Sequence, residues 1–446
     1  MNDGENRMNI ILLSGGSGKR LWPLSNDVRS KQFIKLFKDG NQYESMVQRV
    51  FRQIKTVDPE AKITIATSKS QASTIKHQLN EKVSICVEPC RRDTFPAIAL
   101  AAAYLHDEQK IGINEAVVVC PVDPYVDDTY YEAVKILQEL AEQDNASLTL
   151  MGIEPTYPSE KYGYIIPKSK DDISEVKEFR EKPDVETAKK YLTQNALWNA
   201  GIFAFKLGYL LDKAHSMIDF ENYLDLFNKY DTLTKISFDY AVVEKESNIQ
   251  VLRYSGNWKD VGTWNMMAEV MADKTKGKVI LDETCANTNV VNELNIPILC
   301  MGCKDMIIAA SGDGILISDK ERSGYMKPYV EKIETDAMYA EKSWGTYTVI
   351  DAQPDSMMIK ISMKTGEKMS YHMHNMREEV WTIVSGSGKA IIDGIERILQ
   401  AGDVITIAIG CKHTIEAITP LDIIEIQLGG EINVKDKVKF ASPLKD

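Results

Sequence analysis

The chain has 446 residues, room for about two to four domains of ordinary size. Its 44% hydrophobic and 26% charged residues suit a globular enzyme, and a net charge of −12 argues against a nucleic-acid or anionic-membrane surface. No apolar run approaches the ~20 residues of a membrane span, no secretion signal opens the chain, and seven scattered cysteines fit a reduced cytoplasm better than a disulfide scaffold.

Residues 1–7 are polar, and an apolar run from Met8 to Leu13 reads as a buried first strand. It runs into LLSGGSGKRLWPLS, a glycine loop with two cations. A Walker A loop is excluded, because Leu13 and Arg20 occupy its first glycine and last hydroxyl positions. A dinucleotide fingerprint is excluded as well, with Leu21 in place of the third glycine. Gly15, Gly16 and Gly18 would still let backbone N–H groups approach phosphate oxygens, with Arg20 and Lys31 supplying charge.

From residue 8 to about 265, short apolar runs (KITIATS, AVVVCPVD, LTLMGIEP, AGIFAF) alternate with helical patterns such as FPAIALAAAYLHDEQ and YYEAVKILQELAEQ. That alternation predicts an α/β, Rossmann-like domain with a mainly parallel sheet and its ligand at the carboxyl ends of the strands. From about 276 to 332 short Val/Ile runs are broken by Asn, Gly and Asp, which predicts a small β-solenoid or docking element. Cys300-Met-Gly-Cys303, in that stretch, reads as structural thiols rather than a metal or redox pair. A Lys/Glu-rich stretch, 319–342, is the expected linker. Residues 338–446 read as strand, turn, strand, and predict an all-β barrel.

The glycine loop gains meaning from its continuation. GGSGKRLWPLS with KQF resembles the signature of sugar-nucleotide pyrophosphorylases, and among them the mannose-1-phosphate guanylyltransferases. The similarity continues in order through EPCRRDTFPAIALAA, CPVDPYV, GIEPTYPSEKYGYI, FREKP, LWNAGIFAF, SFDYAVVEK and NWKDVGTW, making eight blocks. The resemblance implies formation of GDP-mannose and pyrophosphate from GTP and α-D-mannose 1-phosphate, serving polysaccharide synthesis. It implies that Arg20, Lys31 and Lys182 act on the phosphates. Gly15, Gly16, Gly18, Glu88, Arg92 and Thr94 would bind the nucleotide; Gly163, Glu181 and Asn199 would line the sugar pocket; Asp123 and Asp260 would hold Mg²⁺. Arg91 and Phe95 depart from the family's usual pattern beside the base, as do Ser30 before Lys31 and Pro124 after Asp123. These departures leave guanine specificity less firmly implied than the reaction type, and a pyrophosphorylase for another sugar 1-phosphate is an open alternative.

Three of the six histidines fall between 372 and 413. His372 and His374 alternate on a strand and so share a face, Glu379 follows a turn, and His413 arrives from a later strand. Three imidazoles and a carboxylate suit a transition metal, Zn²⁺ or Mn²⁺ among them. The run from Gly366 to Gly386 resembles the first cupin motif, and EKSWGTYTVI with REEVWTIVSGSG resembles the mannose-6-phosphate isomerase half of bifunctional enzymes. The barrel is expected to be either a second enzyme, interconverting fructose 6-phosphate and mannose 6-phosphate, or a non-catalytic metal-binding or assembly module. GTP and a sugar 1-phosphate are the expected partners, with a homo-oligomer, a dimer, as the expected assembly.

Overall fold

A computed structural model describes residues 7–16, 18–26, 28–80, 83–333, 337–430, 432 and 436–444. Two compact units emerge. The first takes the described residues of 1–17, 32–72 and 81–272; the second takes those of 18–31, 73–80 and 273–446.

The first unit is built on a nine-stranded sheet. Its strands, in chain order, are β1 (Asn9–Ser14), β2 (Lys62–Ser68), β3 (Ser84–Glu88), β4 (Ala116–Pro121), β6 (Leu148–Ile153), β7 (Tyr164–Pro167), β8 (Ile173–Arg180), β9 (Leu197–Lys206) and β10 (Ile249–Tyr254), with the short β5 (Pro124–Val126) and β11 (Trp258–Asp260) forming a separate ladder. The spatial order is β3-β2-β1-β4-β9-β6-β10-β8-β7. β3, β2, β1 and β4 run parallel, as do β6 and β10. β9 runs antiparallel to both β4 and β6, and β8 runs antiparallel to β10 and β7. The sheet is therefore mixed, which corrects the expectation of a mainly parallel one. The physical reason is that β9 is buried along nearly its whole length, so its continuous apolar run reads the same in either direction.

Helix α1 (Thr94–Asp107) is apolar all round and buried from Phe95 to Ala103, as an alanine-rich helix wedged in a core should be. Asp93 caps it, accepting from the Thr94 N–H at 2.8 Å. Helix α2 (Thr129–Glu142) buries Tyr130, Val134, Leu137 and Ala141 on one stripe.

In the second unit, β12 (Thr275–Lys276), β14 (Asn289–Asn292) and β16 (Met306–Ser311) stack in parallel. So do β13 (Val279–Leu281) and β15 (Ile298–Cys300), with a parallel bridge between Ala286 and Lys304. β17 (Gly314–Asp319) closes the stack as an antiparallel hairpin partner of β16. The stretch expected to link this element to the barrel carries two short helical turns, Arg322–Tyr325 and Lys327–Val330.

The C-terminal part is almost entirely strands: β18 (Tyr339–Lys342), β19 (Gly345–Ala352), β20 (Ser356–Met363), β21 (His372–Met373), β22 (Glu378–Ser385), β23 (Ser387–Ile392), β24 (Ile395–Gln400), β25 (Val404–Ile407), β26 (His413–Ala417), β27 (Leu421–Leu428) and β28 (Val438–Lys439). They form a six-stranded sheet, β18-β19-β20-β27-β22-β25, and a five-stranded sheet, β24-β23-β26-β21-β28. Trp381, Ile383, Ile415 and Ile423 pack in the core between them. Among the described residues no helix is long and apolar enough to cross a membrane.

Candidate functional sites in the two units

The end of β1 opens into the glycine loop. Gly16 takes a φ of +119°, a backbone region that L side chains rarely adopt, and a Cβ added at Gly15 or Gly16 would meet nothing within 4 Å. The loop is thus open. Arg91 Nη2 donates to the Gly16 carbonyl at 3.0 Å, and Gln71 Nε2 donates to it at 3.4 Å. Glu88, ending β3, accepts from the Tyr230 hydroxyl at 2.8 Å, and burial pushes its carboxyl above the ordinary range. The Arg92 guanidinium bonds the Asp231 carbonyl, while Thr94 Oγ1 accepts from the Phe238 N–H at 2.8 Å. Arg92 and Thr94 therefore tie down the loop 231–238.

A second group forms where β7, β8 and β9 end. The Asn199 N–H donates to the Gly163 carbonyl at 2.8 Å, and a register shift in β9 with Gly201 at φ +70° turns the strand there. Glu181 is buried, and its Oε1 lies 2.6 Å from the half-exposed Lys182 ammonium. A Cβ on Gly163 would come within 2.5 Å of Glu181 Oε2 and 3.3 Å of Asn199 Cβ. The four residues expected to contact the sugar phosphate thus converge on one small polar pocket. Its fifth member was missed in the sequence: Asp239 accepts from Asn199 Nδ2 at 2.6 Å. Burial, with the nearby charge of Glu181, pushes its carboxyl up to about 6. The motif SFDYAVVEK contains that aspartate, but nothing in its spacing says which carboxylate faces β9.

Asp123 and Asp260 are brought together by the β5/β11 ladder. Asp260 pairs with Pro124, the residue directly after Asp123. Tyr162, next to Gly163, stacks edge-on against Trp258 at 5.5 Å, and burial with the charge of Asp260 pushes its phenol up. Two hard carboxylates at the end of a strand fit a divalent cation that keeps its other positions for phosphate oxygens.

Arg20 and Lys31 are placed differently. Gly18–Leu21 and Lys31–Phe33 are single 3₁₀ turns, and the segment 18–31 between them packs within the second unit. Arg20 is exposed and Lys31 half-buried.

The barrel holds the other cluster. His372 in β21 pairs with His413 in β26, and their ring centroids are 4.2 Å apart; His374 lies 4.9 Å from His372. All three are buried, with possible ligand atoms within 4.8 Å of one another. His372 Nδ1 lies 2.7 Å from the Ser370 carbonyl, His413 Nδ1 3.0 Å from the Cys411 carbonyl, and His374 Nδ1 bonds the Asp436 carbonyl. A carbonyl can only accept, so each Nδ1 donates, and Nε2 is the ring atom left to face the cavity. Burial holds His372 well below the usual imidazole range, in its neutral form.

Glu379 completes the set, 3.0 Å from His374 Nε2 and 3.3 Å from His413 Nε2. Nε2 lone pairs and a carboxylate this close repel one another unless a proton or a metal cation lies between them. His413 Nε2 is buried and without a hydrogen-bond partner among the described residues, as an atom meant for a metal would be. The donor set fits a transition metal. Arg377, Trp381 and Glu425 went unnoticed in the sequence. Arg377 Nη2 lies 3.2 Å from His374 Nε2, and Trp381 Nε1 donates to Glu379 Oε2 at 3.3 Å and to Glu425 Oε2 at 3.1 Å.

The nucleotidyl transferase family model matches residues 9–277, and a model described as mannose-6-phosphate isomerase C-terminal matches residues 331–442. A mannose-1-phosphate guanylyltransferase of Escherichia coli (strain K12) is 30% identical, with 98% of each chain covered. The xanthan biosynthesis protein XanB of Xanthomonas campestris pv. campestris (strain B100) is also 30% identical, covering 96% of this chain and 97% of that one. A crystal structure from Thermus thermophilus, described as a mannose-1-phosphate geranyltransferase, aligns with a TM-score of 0.60 at 25% identity over 74% of this chain and all of that one. The chain belongs to the nucleotidyl transferase family, among the mannose-1-phosphate guanylyltransferases in which that domain is followed by a mannose-6-phosphate isomerase C-terminal domain.

Proposed function

We propose that this chain makes GDP-mannose and pyrophosphate from GTP and α-D-mannose 1-phosphate. The convergence of Gly163, Glu181, Lys182 and Asn199 on one pocket carries the reading, in a chain that its relatives match from end to end. An oxygen of the sugar phosphate attacks the α-phosphorus of GTP in line. The bond from that phosphorus to the bridging oxygen breaks, and pyrophosphate leaves with the electron pair. The nucleophile is already an anion, so no general base is needed; positioning and charge do the catalysis.

Lys182 holds the sugar phosphate, and its half-exposed ammonium can exchange Glu181 for a phosphate oxygen. Glu181 and Asn199 then bond sugar hydroxyls, and Gly163 keeps the pocket open for the ring. Gly15, Gly16 and Gly18 cradle phosphates, Arg20 and Lys31 bind the triphosphate, and Glu88, Arg92 and Thr94 shape the nucleotide pocket. Asp123 and Asp260 would hold Mg²⁺, which when bound neutralises charge on the phosphates.

In the barrel, His372, His374, Glu379 and His413 would hold Zn²⁺ or Mn²⁺, which when bound polarises the oxygens of a sugar. That cluster favours a second reading, interconversion of fructose 6-phosphate and mannose 6-phosphate. The domains are then a nucleotidyltransferase over 8–265, a β-solenoid of left-handed β-helix type over 276–332, supported by the parallel ladders there, and a cupin over 338–446.

A pyrophosphate-release screen of the purified chain against several nucleoside triphosphates and sugar 1-phosphates tests the first reading. GTP with mannose 1-phosphate should be the best pair. A preference for UTP or dTTP would overturn the specificity, and no release with any pair would overturn the reaction. An assay of fructose 6-phosphate conversion by the same protein decides the second reading.

A further inference from the structure

The segment after the glycine loop is fastened by residues some 260 to 310 positions away. Arg29 is buried and bidentate with Glu293, at 2.7 and 3.1 Å, and its guanidinium lies 5.0 Å from the centroid of the Tyr339 ring. Asn26 shapes the local turn by accepting from the Val28 and Arg29 N–H groups, and its Nδ2 reaches Asp313 at 2.6 Å. Ser311 Oγ donates to the Pro23 carbonyl at 2.7 Å. Trp22 lies so close to Gly314 that a Cβ there would come within 2.5 Å of its ring. Asp313 also accepts from the Met338 N–H at 2.8 Å, just before β18. Four fastenings therefore hold a segment of some fourteen residues, and Arg20 and Lys31 sit at its two ends.

Arg29 is the buried partner and Glu293 the more exposed one, and a bidentate guanidinium–carboxylate pair is geometrically demanding and tolerates little displacement. A solvated surface loop needs no such device. We infer that the Arg29–Glu293 pair and its neighbours are positioning residues, which fix the segment that carries Arg20 and Lys31. The inference rests on the proposed role of these two cations in binding GTP.

The test uses the full chain. Glu293→Gln keeps the shape and removes the charge. It should raise KM for GTP about tenfold and lower kcat, while KM for mannose 1-phosphate moves less than about twofold, the pattern of a displaced triphosphate ligand. The exchanged pair Arg29→Glu with Glu293→Arg should recover part of the loss. Leu399→Ala, which truncates the barrel core far from these contacts, should lower Tm and leave KM for GTP alone. Should Glu293→Gln fail to fold, Ser311→Ala removes one fastening and should show the same pattern more weakly. An unchanged KM for GTP would overturn the inference. So would activity that merely tracks the folded fraction, or an equal rise in Leu399→Ala. If the wild-type chain does not use GTP, the functional reading fails instead. Amide exchange over residues 18–31 then judges the fastening itself: faster in Glu293→Gln if it holds, unchanged if it does not.

Discussion

The proposed sugar pocket and the barrel cluster are both polar, yet their side chains are arranged differently. In the pocket each charged or amide group already has a partner: Lys182 bonds Glu181, and Asn199 bonds Asp239. In the barrel the imidazole Nδ1 groups are tied to backbone carbonyls, while the Nε2 atoms of His374 and His413 converge on Glu379, with Arg377 and Trp381 donating from the side. A pocket of paired groups is completed by a substrate that exchanges partners with it. A ring of acceptors is completed by a cation. The first arrangement suits turnover of a charged small molecule, the second suits a resident ion.

The largest effects should separate the two sites. Asp123→Asn and Asp260→Asn each remove a charged ligand from the proposed Mg²⁺ site, and should cost on the order of several kcal/mol in the transition state. Turnover at saturating Mg²⁺ reads the loss directly, and near-wild-type turnover would remove that aspartate from the site. Metal bound in the barrel should be untouched in both variants. His413→Ala and His374→Ala should do the reverse to the metal, reducing about one equivalent per chain to a small fraction, since such sites tolerate few ligand losses. Metal analysis after incubation with Zn²⁺ or Mn²⁺ under reducing conditions decides it. A wild-type chain that takes up no metal would make the histidines structural.

How far the sequence foretold these sites depends on how local each one is. The histidine pair at 372 and 374 needs only the two-residue period of a strand, and Glu379 lies one turn away, so the cluster was legible. The glycine loop and the alternating strands were legible for the same reason. Strand direction was not, because a run buried on both faces carries no sign of parallel or antiparallel pairing. Asp239 and Arg377 escaped because each acts through a contact that only the assembled fold creates. The fastening of 18–31 was the least accessible of all: Arg29 and Glu293 are ordinary charged residues until the fold buries the one and sets the other against it.

Smaller effects probe the sugar pocket. Gly163→Ala places a methyl 2.5 Å from Glu181 Oε2 and 3.0 Å from Phe179 Cζ, an overpacking that typically costs ~1–3 kcal/mol. KM for mannose 1-phosphate should rise with KM for GTP unchanged; the opposite split would move the sugar elsewhere. Asp239 gives a pH signature. Its carboxyl is raised from 3.8 to about 6, so between those values the folded chain holds this proton and the unfolded chain does not. Its contribution to stability is therefore full below the unfolded value and is lost as the pH rises toward 6. Asp239→Asn should flatten that slope in denaturant titrations from about pH 3.5 to about pH 6.5, values chosen to bracket the window. An unaltered slope would mean that another group carries it.

The smallest expected effect lies at the nucleotide side. Tyr230 is buried, and its hydroxyl donates to Glu88 Oε2 at 2.8 Å, favouring the ionised carboxylate against the burial that raises it. Removing one hydrogen bond to a charged group typically costs ~1.5–3 kcal/mol, but Glu88 is only partly buried, so water can replace the donor. Tyr230→Phe should then cost nearer ~1 kcal/mol in stability. It should shift KM for GTP by a few-fold at most, and leave KM for mannose 1-phosphate and the barrel's metal where they are. The distinction matters because Glu88 reaches this position from the end of β3, whereas Arg92 and Thr94 reach it from the start of α1 by way of the loop 231–238. If Glu88 touches the nucleotide, losing its hydrogen-bond partner moves the GTP constant alone. If Tyr230 serves only to anchor that loop against β3, stability falls and both substrate constants stay unchanged, which would take Glu88 out of the nucleotide pocket.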